Sequence, residues 1–295
     1  MQKKLFYFID LIKLQHTLFA LPFALISAIL AWKMTESFHW IQLLGIVACM
    51  VAARSAAMAF NRLVDSTYDA ANPRTASRHI PAGLLNKTQV VAFVIISSIA
   101  FMASCSLFLL VNNIWPLVFG LPVLLFLLSY SYAKRFTALC HFWLGLALAL
   151  SPLGAWVAIR GMAWHESPIP LMLTGAVFFW VAGFDMLYAC QDEAFDKSNG
   201  LFSIPATIGI RNTLRLAFVC HLLMLVFLLG FYWLASPPLG AIYLSGIGIV
   251  SCLVLYQHAL VSEKDLSKVN QAFFNVNAVI SVGLMLIVML QLYIA

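Results

Sequence analysis

Residues 88–110 read TQVVAFVIISSIAFMASCSLFLL, 23 positions without one charged side chain. As an α-helix this stretch is about 35 Å long, slightly more than the ~30 Å hydrocarbon core of a bilayer. It has neither the period of an amphipathic surface helix nor the alternation of a half-buried strand, so it is predicted to cross a membrane. Similar runs occupy residues 12–32, 40–60, 115–133, 138–159, 167–187, 214–235, 239–258 and 270–294, giving nine expected spans. Only 9% of the 295 residues are charged and 63% are hydrophobic, far too few solvating groups to cover a soluble particle of that size. The expected fold class is an all-α integral membrane bundle of nine transmembrane helices, a single domain over residues 1–295 with the lipid bilayer as its surroundings. The first run begins with Lys13 and His16 and has no small-residue cleavage site after it, so it is expected to stay in the mature protein.

The basic residues orient this bundle. Counting stretches alternately from the N-terminus, 14 of the 17 Lys and Arg residues fall on one side, from Lys3 to Lys268. Lys33 and Arg160 fall on the other, and Arg54 lies within the second span. The positive-inside rule then predicts a cytoplasmic N-terminus, consistent with a bacterial inner membrane. The net charge of +6 is accounted for by these juxtamembrane cations, so no nucleic-acid partner is expected. The six cysteines show no CxxC spacing and are expected to act as small apolar packing residues.

Two stretches stand out as long non-spanning connections, 61–87 and about 188–213, both on the cytoplasmic side by the charge count. Asn61, Asp65 and Asp69 follow one another at intervals of four, and Tyr188, Asp192 and Asp196 repeat the interval, each 127 residues after its counterpart. Both follow an even-numbered span, so the pattern is a parallel internal repeat that puts two acidic clusters on one membrane face. Of the 11 acidic residues, Asp65, Asp69, Asp185, Asp192, Glu193 and Asp196 lie here. Residues four apart on a helix are offset by about 40° around its axis, so each Asp pair can face one partner. Clustered carboxylates repel, and a hard divalent cation relieves that repulsion. Oxygen ligands without a His/Cys set favour Mg²⁺, which is commonly held by one or two carboxylates plus substrate phosphates. The nearby cations Arg74, Arg78, Lys134 and Arg135 suit a departing diphosphate.

These residues resemble the UbiA superfamily of intramembrane aromatic prenyltransferases. The first family motif, NDxxDxxxD, is matched by NRLVDSTYD at 61–69, followed by NPRTASRHIPAG at 72–83. The second, DxxYxxxDxxxD, is matched by DMLYACQDEAFD at 185–196, and YSYAKRFT at 130–137 is similar to the family's YxxxKRxT stretch. The resemblance covers nearly the whole chain. Arg62 stands where the family usually has an Asp, so the first cluster has one carboxylate fewer. The form NRxxDxxxD followed by NPRTxxRxxP is similar to the branch that prenylates aromatic carboxylic acids in quinone synthesis.

The resemblance implies a polyprenyl diphosphate donor and an aromatic acid acceptor such as 4-hydroxybenzoate or, for menaquinone, 1,4-dihydroxy-6-naphthoate. It implies that Asn61, Asp65 and Asp69 bind one Mg²⁺ and that Asp192 and Asp196 bind a second. Arg78, Lys134 and Arg135 would contact the diphosphate, with Tyr130 and Tyr188 as hydrogen-bond donors to it. Asp185 is the candidate for accepting the ring proton. Lys13 and His16, at the start of the first span, are candidates for the acceptor's carboxylate. Arg54, a guanidinium within a span, is expected to pair with that carboxylate or with a motif Asp. The competing reading is a membrane transporter, which would require acids deep in the spans and inverted halves.

Overall fold

The computed structural model describes every residue except Met1, residues 14–16, Leu18, Ser167, residues 236–238 and Ala295. Among the described residues all regular elements are helices, apart from an isolated bridge between Ser262 and Asp265. In order they are α1 (Gln2–Leu11), α2 (Leu21–Thr35), α3 (Trp40–Val64), α4 (Ser66–Ala71), α5 (Lys87–Ser106), α6 (Trp115–Ser129), α7 (Cys140–Arg160), α8 (Pro168–Ala189), α9 (Glu193–Ser198), α10 (Ile204–Leu234), α11 (Ala241–Ala259) and α12 (Asn277–Ile294). Short 3₁₀ turns extend α5 and α6, and a π-helical turn, Gln271–Val276, leads into α12.

Among the described residues eight helical stretches are long and apolar enough to cross a bilayer, and the chain is a multi-pass integral membrane protein. They are Trp40–Val64, Lys87–Val111, Trp115–Arg135, Cys140–Arg160, Pro168–Ser198, Ile204–Leu234, Ala241–Ala259 and Gln271–Ile294. The first of the nine expected runs is different: among the described residues its α-helix is α2, 15 residues long. Pro22 sits in the first turn of α2, where a missing N–H is harmless but its ring opposes any preceding helical turn. α10 also starts ten residues before the expected span, because hydropathy is blind to the helical turns that carry Arg211. Ser203 caps it through Ala206 N–H, and Gly209, at φ 78°, forms a kink that favours glycine.

The chain forms two compact units. The first comprises residues up to Thr17 together with 39–132, and so contains α1 and α3 to α6. Here α3 and α5 pack through small side chains: Ala52, Ala53 and Ala56 meet Phe101, Cys105 and Leu124. A Cβ on Gly45 would lie 2.7 Å from the Phe108 ring, so only glycine admits this approach. At the other end of α3, Leu11, Ala59, Leu85, Val90 and Val94 bury together with Tyr7, Phe8 and Ile80, tying α1 and the turns after α4 to the helix ends. His79 in those turns lies 3.3 Å from Asp10 of α1, which also pairs with Lys13 at 2.7 Å.

The second unit, 18–38 with 133–295, is organised around α8, which packs between α7 and α10. Its core combines Phe19, Phe23, Trp180, Phe184 and Phe273 in edge-to-face and tilted ring contacts with Met224, Leu228, Tyr243 and Ile280. Two buried polar side chains in this core find hydrogen-bond partners, which a low-dielectric interior favours. Trp180 Nε1 donates to Asn277 Oδ1 at 2.9 Å, and Gln257 Nε2 donates to the carbonyl of Ala272 in the π-helical turn at 2.9 Å.

Candidate active site

Both acidic motifs have the same backbone. α3 stops at Val64, the chain breaks at Asp65 (φ −86°, ψ 2°), and six residues of α4 follow. α8 continues into a 3₁₀ turn, Cys190–Asp192, breaks at Asp192 (φ −100°, ψ 3°), and six residues of α9 follow. Ser66–Ala71 and Glu193–Ser198 are thus offset by the same 127 residues as the sequence motifs. Each short helix has acids in its first turn, Asp69 in α4 and Glu193 and Asp196 in α9, where the helix dipole favours negative charge. Neither break residue uses its carboxylate as a side-chain cap, which leaves the acid available for other partners.

In the first unit, Asn61 Nδ2 donates to Asp65 Oδ2 at 2.8 Å. Asp69 is buried, and its Oδ1 accepts from Arg78 Nη1 at 2.6 Å. Thr75 Oγ1 donates to the Asp69 carbonyl at 3.1 Å, folding the turns that carry Arg78 back onto α4. Oδ2 of Asp69 is buried with no hydrogen-bond partner. Arg54, two turns before Asn61 on α3, likewise has a buried Nε without a partner. Tyr130 opens the 3₁₀ turn Tyr130–Arg135 and is partly buried.

In the second unit, Asp192 and Asp196 are both buried, and Lys134 Nζ reaches Asp196 Oδ2 at 3.1 Å. The backbone holds that lysine in place: Phe202 N–H, just after α9, donates to the Lys134 carbonyl at 2.7 Å. Arg135 is exposed. The Tyr188 ring packs 4.3 Å from the Phe273 ring. Asp185 Oδ2 lies 2.7 Å from Nδ1 of His141, a histidine not among the residues expected at the site. Nothing local in the sequence marks it, because its partner is 44 positions away on another helix.

The residues expected to take the acceptor carboxylate are placed unevenly. Lys13, at φ 45°, pairs with Asp10, and its hydrogen bond holds the Asp10 carboxyl below the usual carboxylate range. His16 lies outside the described residues. Burial pushes His79, on the far side of Asp10, below the ordinary histidine value.

Among the described residues no three His, Cys, Asp or Glu side chains converge into a closed metal cage. The donor set nevertheless fits Mg²⁺, which needs only one or two carboxylates beside phosphate and water. The buried Oδ2 of Asp69, without a hydrogen-bond partner, is the observation that suits a cation ligand.

Residues 20–279 match the model of the UbiA prenyltransferase family. The chain is 29% identical to a 4-hydroxybenzoate octaprenyltransferase of Nitrosospira multiformis, with 86% of each chain covered. It is 30% identical to the enzyme of that name from Methylobacillus flagellatus, over 81% of this chain and 78% of the relative. Its fold is similar to the apo structure of a UbiA homolog from Aeropyrum pernix K1, with a TM-score of 0.82, 30% identity, and coverage of 95% of this chain and 97% of that one. A UbiA homolog from Archaeoglobus fulgidus, solved bound to DMAPP and Mg²⁺, has the same fold at 15% identity and a TM-score of 0.70, with 98% of this chain and 99% of that one covered. The chain belongs to the UbiA prenyltransferase family.

Proposed function

We propose that this protein transfers a polyprenyl group from a polyprenyl diphosphate to an aromatic carboxylic acid of the 4-hydroxybenzoate type, releasing diphosphate, as a step of quinone biosynthesis. The observation that carries this reading is the repeated helix break. In each motif a break-residue Asp is followed four positions later by a buried Asp paired to a cation, Arg78 in one and Lys134 in the other. The names of the curated relatives supply the substrate class.

In this reading Asn61, Asp65 and Asp69 hold one Mg²⁺, and Asp192 and Asp196 hold another. Mg²⁺, when bound, supplies charge neutralisation on the diphosphate oxygens. Arg78 and Lys134, each already beside a motif carboxylate, add charge-assisted hydrogen bonds to the leaving diphosphate. Arg135, Tyr130 and Tyr188 are further donors to it. Loss of diphosphate leaves an allylic cation, and the electron-rich ring carbon beside the phenol bonds to it. The ring C–H electron pair then restores aromaticity, and the proton passes to Asp185. An apolar bundle around the chemistry would keep water from the cation. Arg54, with its unpartnered Nε, takes the acceptor's carboxylate, and Lys13 and His16 are the other candidates for that contact.

In this reading the protein sits in a bacterial inner membrane with its motifs toward the cytoplasm, and residues 1–295 act as one prenyltransferase domain. The test supplies membranes containing the protein with polyprenyl diphosphate, Mg²⁺ and either 4-hydroxybenzoate or 1,4-dihydroxy-6-naphthoate, and identifies the product by mass. Prenylated 4-hydroxybenzoate is expected. Prenylated naphthoate alone would move the assignment to menaquinone synthesis, and no product from well-folded protein would end the reading.

A further inference from the structure

His141 is the first buried polar side chain of α7, with only 1% of its side chain exposed. It touches two other elements of its unit. Its Nδ1 lies 2.7 Å from Oδ2 of Asp185, near the end of α8. Its Nε2 accepts the backbone N–H of Ile204, the first residue of α10, at 3.4 Å. The first N–H groups of a helix have no intrahelical partner, and here the imidazole takes one while Ser203 takes another.

The tautomer follows from this geometry. A nitrogen that accepts a backbone N–H carries no proton, so Nε2 is bare and the single ring proton of the neutral imidazole sits on Nδ1. Nδ1–H therefore donates to Asp185 Oδ2. That differs from the environment of the buried motif acids: Asp69 faces the fixed charge of Arg78 and Asp196 faces that of Lys134. A fixed cation stabilises a carboxylate and weakens it as a base, whereas a neutral donor orients it and leaves most of its basicity. Asp185 is partly buried, with 16% of its side chain exposed, and His141 contacts its Oδ2, leaving Oδ1 as the other carboxylate oxygen.

We propose that His141 is a positioning residue: its Nδ1–H, fixed by the Ile204 amide, holds Asp185 by Oδ2 so that Oδ1 receives the proton lost from the aromatic ring after the prenyl bond has formed. This rests on the prenyl-transfer reading above. In the step the ring C–H bond breaks, its electron pair returns to the ring, and the proton forms an O–H bond on Oδ1. His141 stays neutral throughout and exchanges no proton.

The experiment compares His141→Leu with His141→Asn in full-length protein in lipid nanodiscs. The Asn amide reaches the place of Nδ1–H, and Leu offers no donor. In His141→Leu, kcat should fall by about 10- to 100-fold, while KM for the prenyl diphosphate and the Mg²⁺ concentration for half-maximal rate stay within about twofold. Acceptor deuterated at the reacting ring carbon should turn over more slowly in His141→Leu than protiated acceptor, because proton loss becomes limiting, and the wild type should show a smaller isotope effect. His141→Asn should recover at least about tenfold of the lost rate. If His141→Leu does not fold, His141→Gln, whose amide reaches the Nε2 position instead, should be about tenfold slower than His141→Asn. Equal rates for the Leu or Gln variant and the Asn variant, or no rise in the isotope effect, would overturn the proposal. A wild-type protein that makes no prenylated product would instead refute the underlying function.

Discussion

Arg78 places Nη1 2.6 Å from Oδ1 of Asp69, while Oδ2 of the same carboxylate is buried without a partner. The acid is thus half satisfied, one oxygen by a guanidinium and the other by no hydrogen-bond donor among the described residues. Asp69→Asn should lower kcat by about 100-fold or more, in the range found when a preorganised electrostatic group is removed from an active site. Asp65→Asn and Asp192→Asn should behave likewise. Circular dichroism and membrane insertion of each variant should match wild type, and near-normal turnover would reduce these acids to solvated helix ends.

Arg78→Ala and Lys134→Ala remove a cation from beside a buried carboxylate, which leaves that charge uncompensated. Both should raise KM for the prenyl diphosphate by about tenfold or more and increase the demand for Mg²⁺. Steady-state kinetics over a Mg²⁺ titration reads both effects. Chelation of the metal from wild-type protein should stop turnover reversibly without changing helix content.

Arg54 has a buried Nε with no partner, in a membrane-spanning helix where an uncompensated charge is costly. Arg54→Ala should raise KM for the aromatic acid by about tenfold, the loss of one charge-assisted hydrogen bond, and leave KM for the prenyl donor unchanged. An acceptor analogue lacking the carboxylate should lose the same factor with wild type and nothing further with the variant.

His79 links the turns carrying Arg78 to α1 through Asp10. Burial lowers its folded-state value below the ordinary 6.5, although the neighbouring Asp10 partly opposes the shift. The unfolded segment therefore binds a proton before the folded one does, so the stabilising contribution is complete above about pH 6.5 and is lost as pH falls through the depressed folded value. Hydrogen exchange over residues 72–85, corrected for intrinsic rates, should be faster at pH 5.5 than at 7.5. His79→Gln should abolish the difference.

Gly183 of α8 admits the His221 ring of α10: a Cβ there would sit 2.5 Å from His221 Nε2 and 3.1 Å from the Ala217 carbonyl. Gly183→Ala should cost about 1–3 kcal/mol of stability through overpacking, read as a lower Tm in detergent. An unchanged Tm would show that α8 and α10 separate more easily than their packing implies.

The amino-acid sequence by itself determined the membrane class, eight of the spans, and the four-residue spacing and 127-residue repeat of the acids. These patterns are local: span length and one-turn neighbours are set within a few residues along one helix. The start of α2 was hidden because an apolar run keeps its hydropathy whether or not a proline such as Pro22 stands in it. What Asp69, Asp185 and Asp196 pair with was decided only by tertiary structure. Arg78 meets Asp69 across nine positions, Lys134 meets Asp196 across 62, and His141 meets Asp185 across 44. Those separations carry no periodic signal, since they depend on how the turns after α4 fold back and how α7, α8 and α10 pack. The same packing directs the Ile204 amide at His141, which sets the proton on the nitrogen facing Asp185.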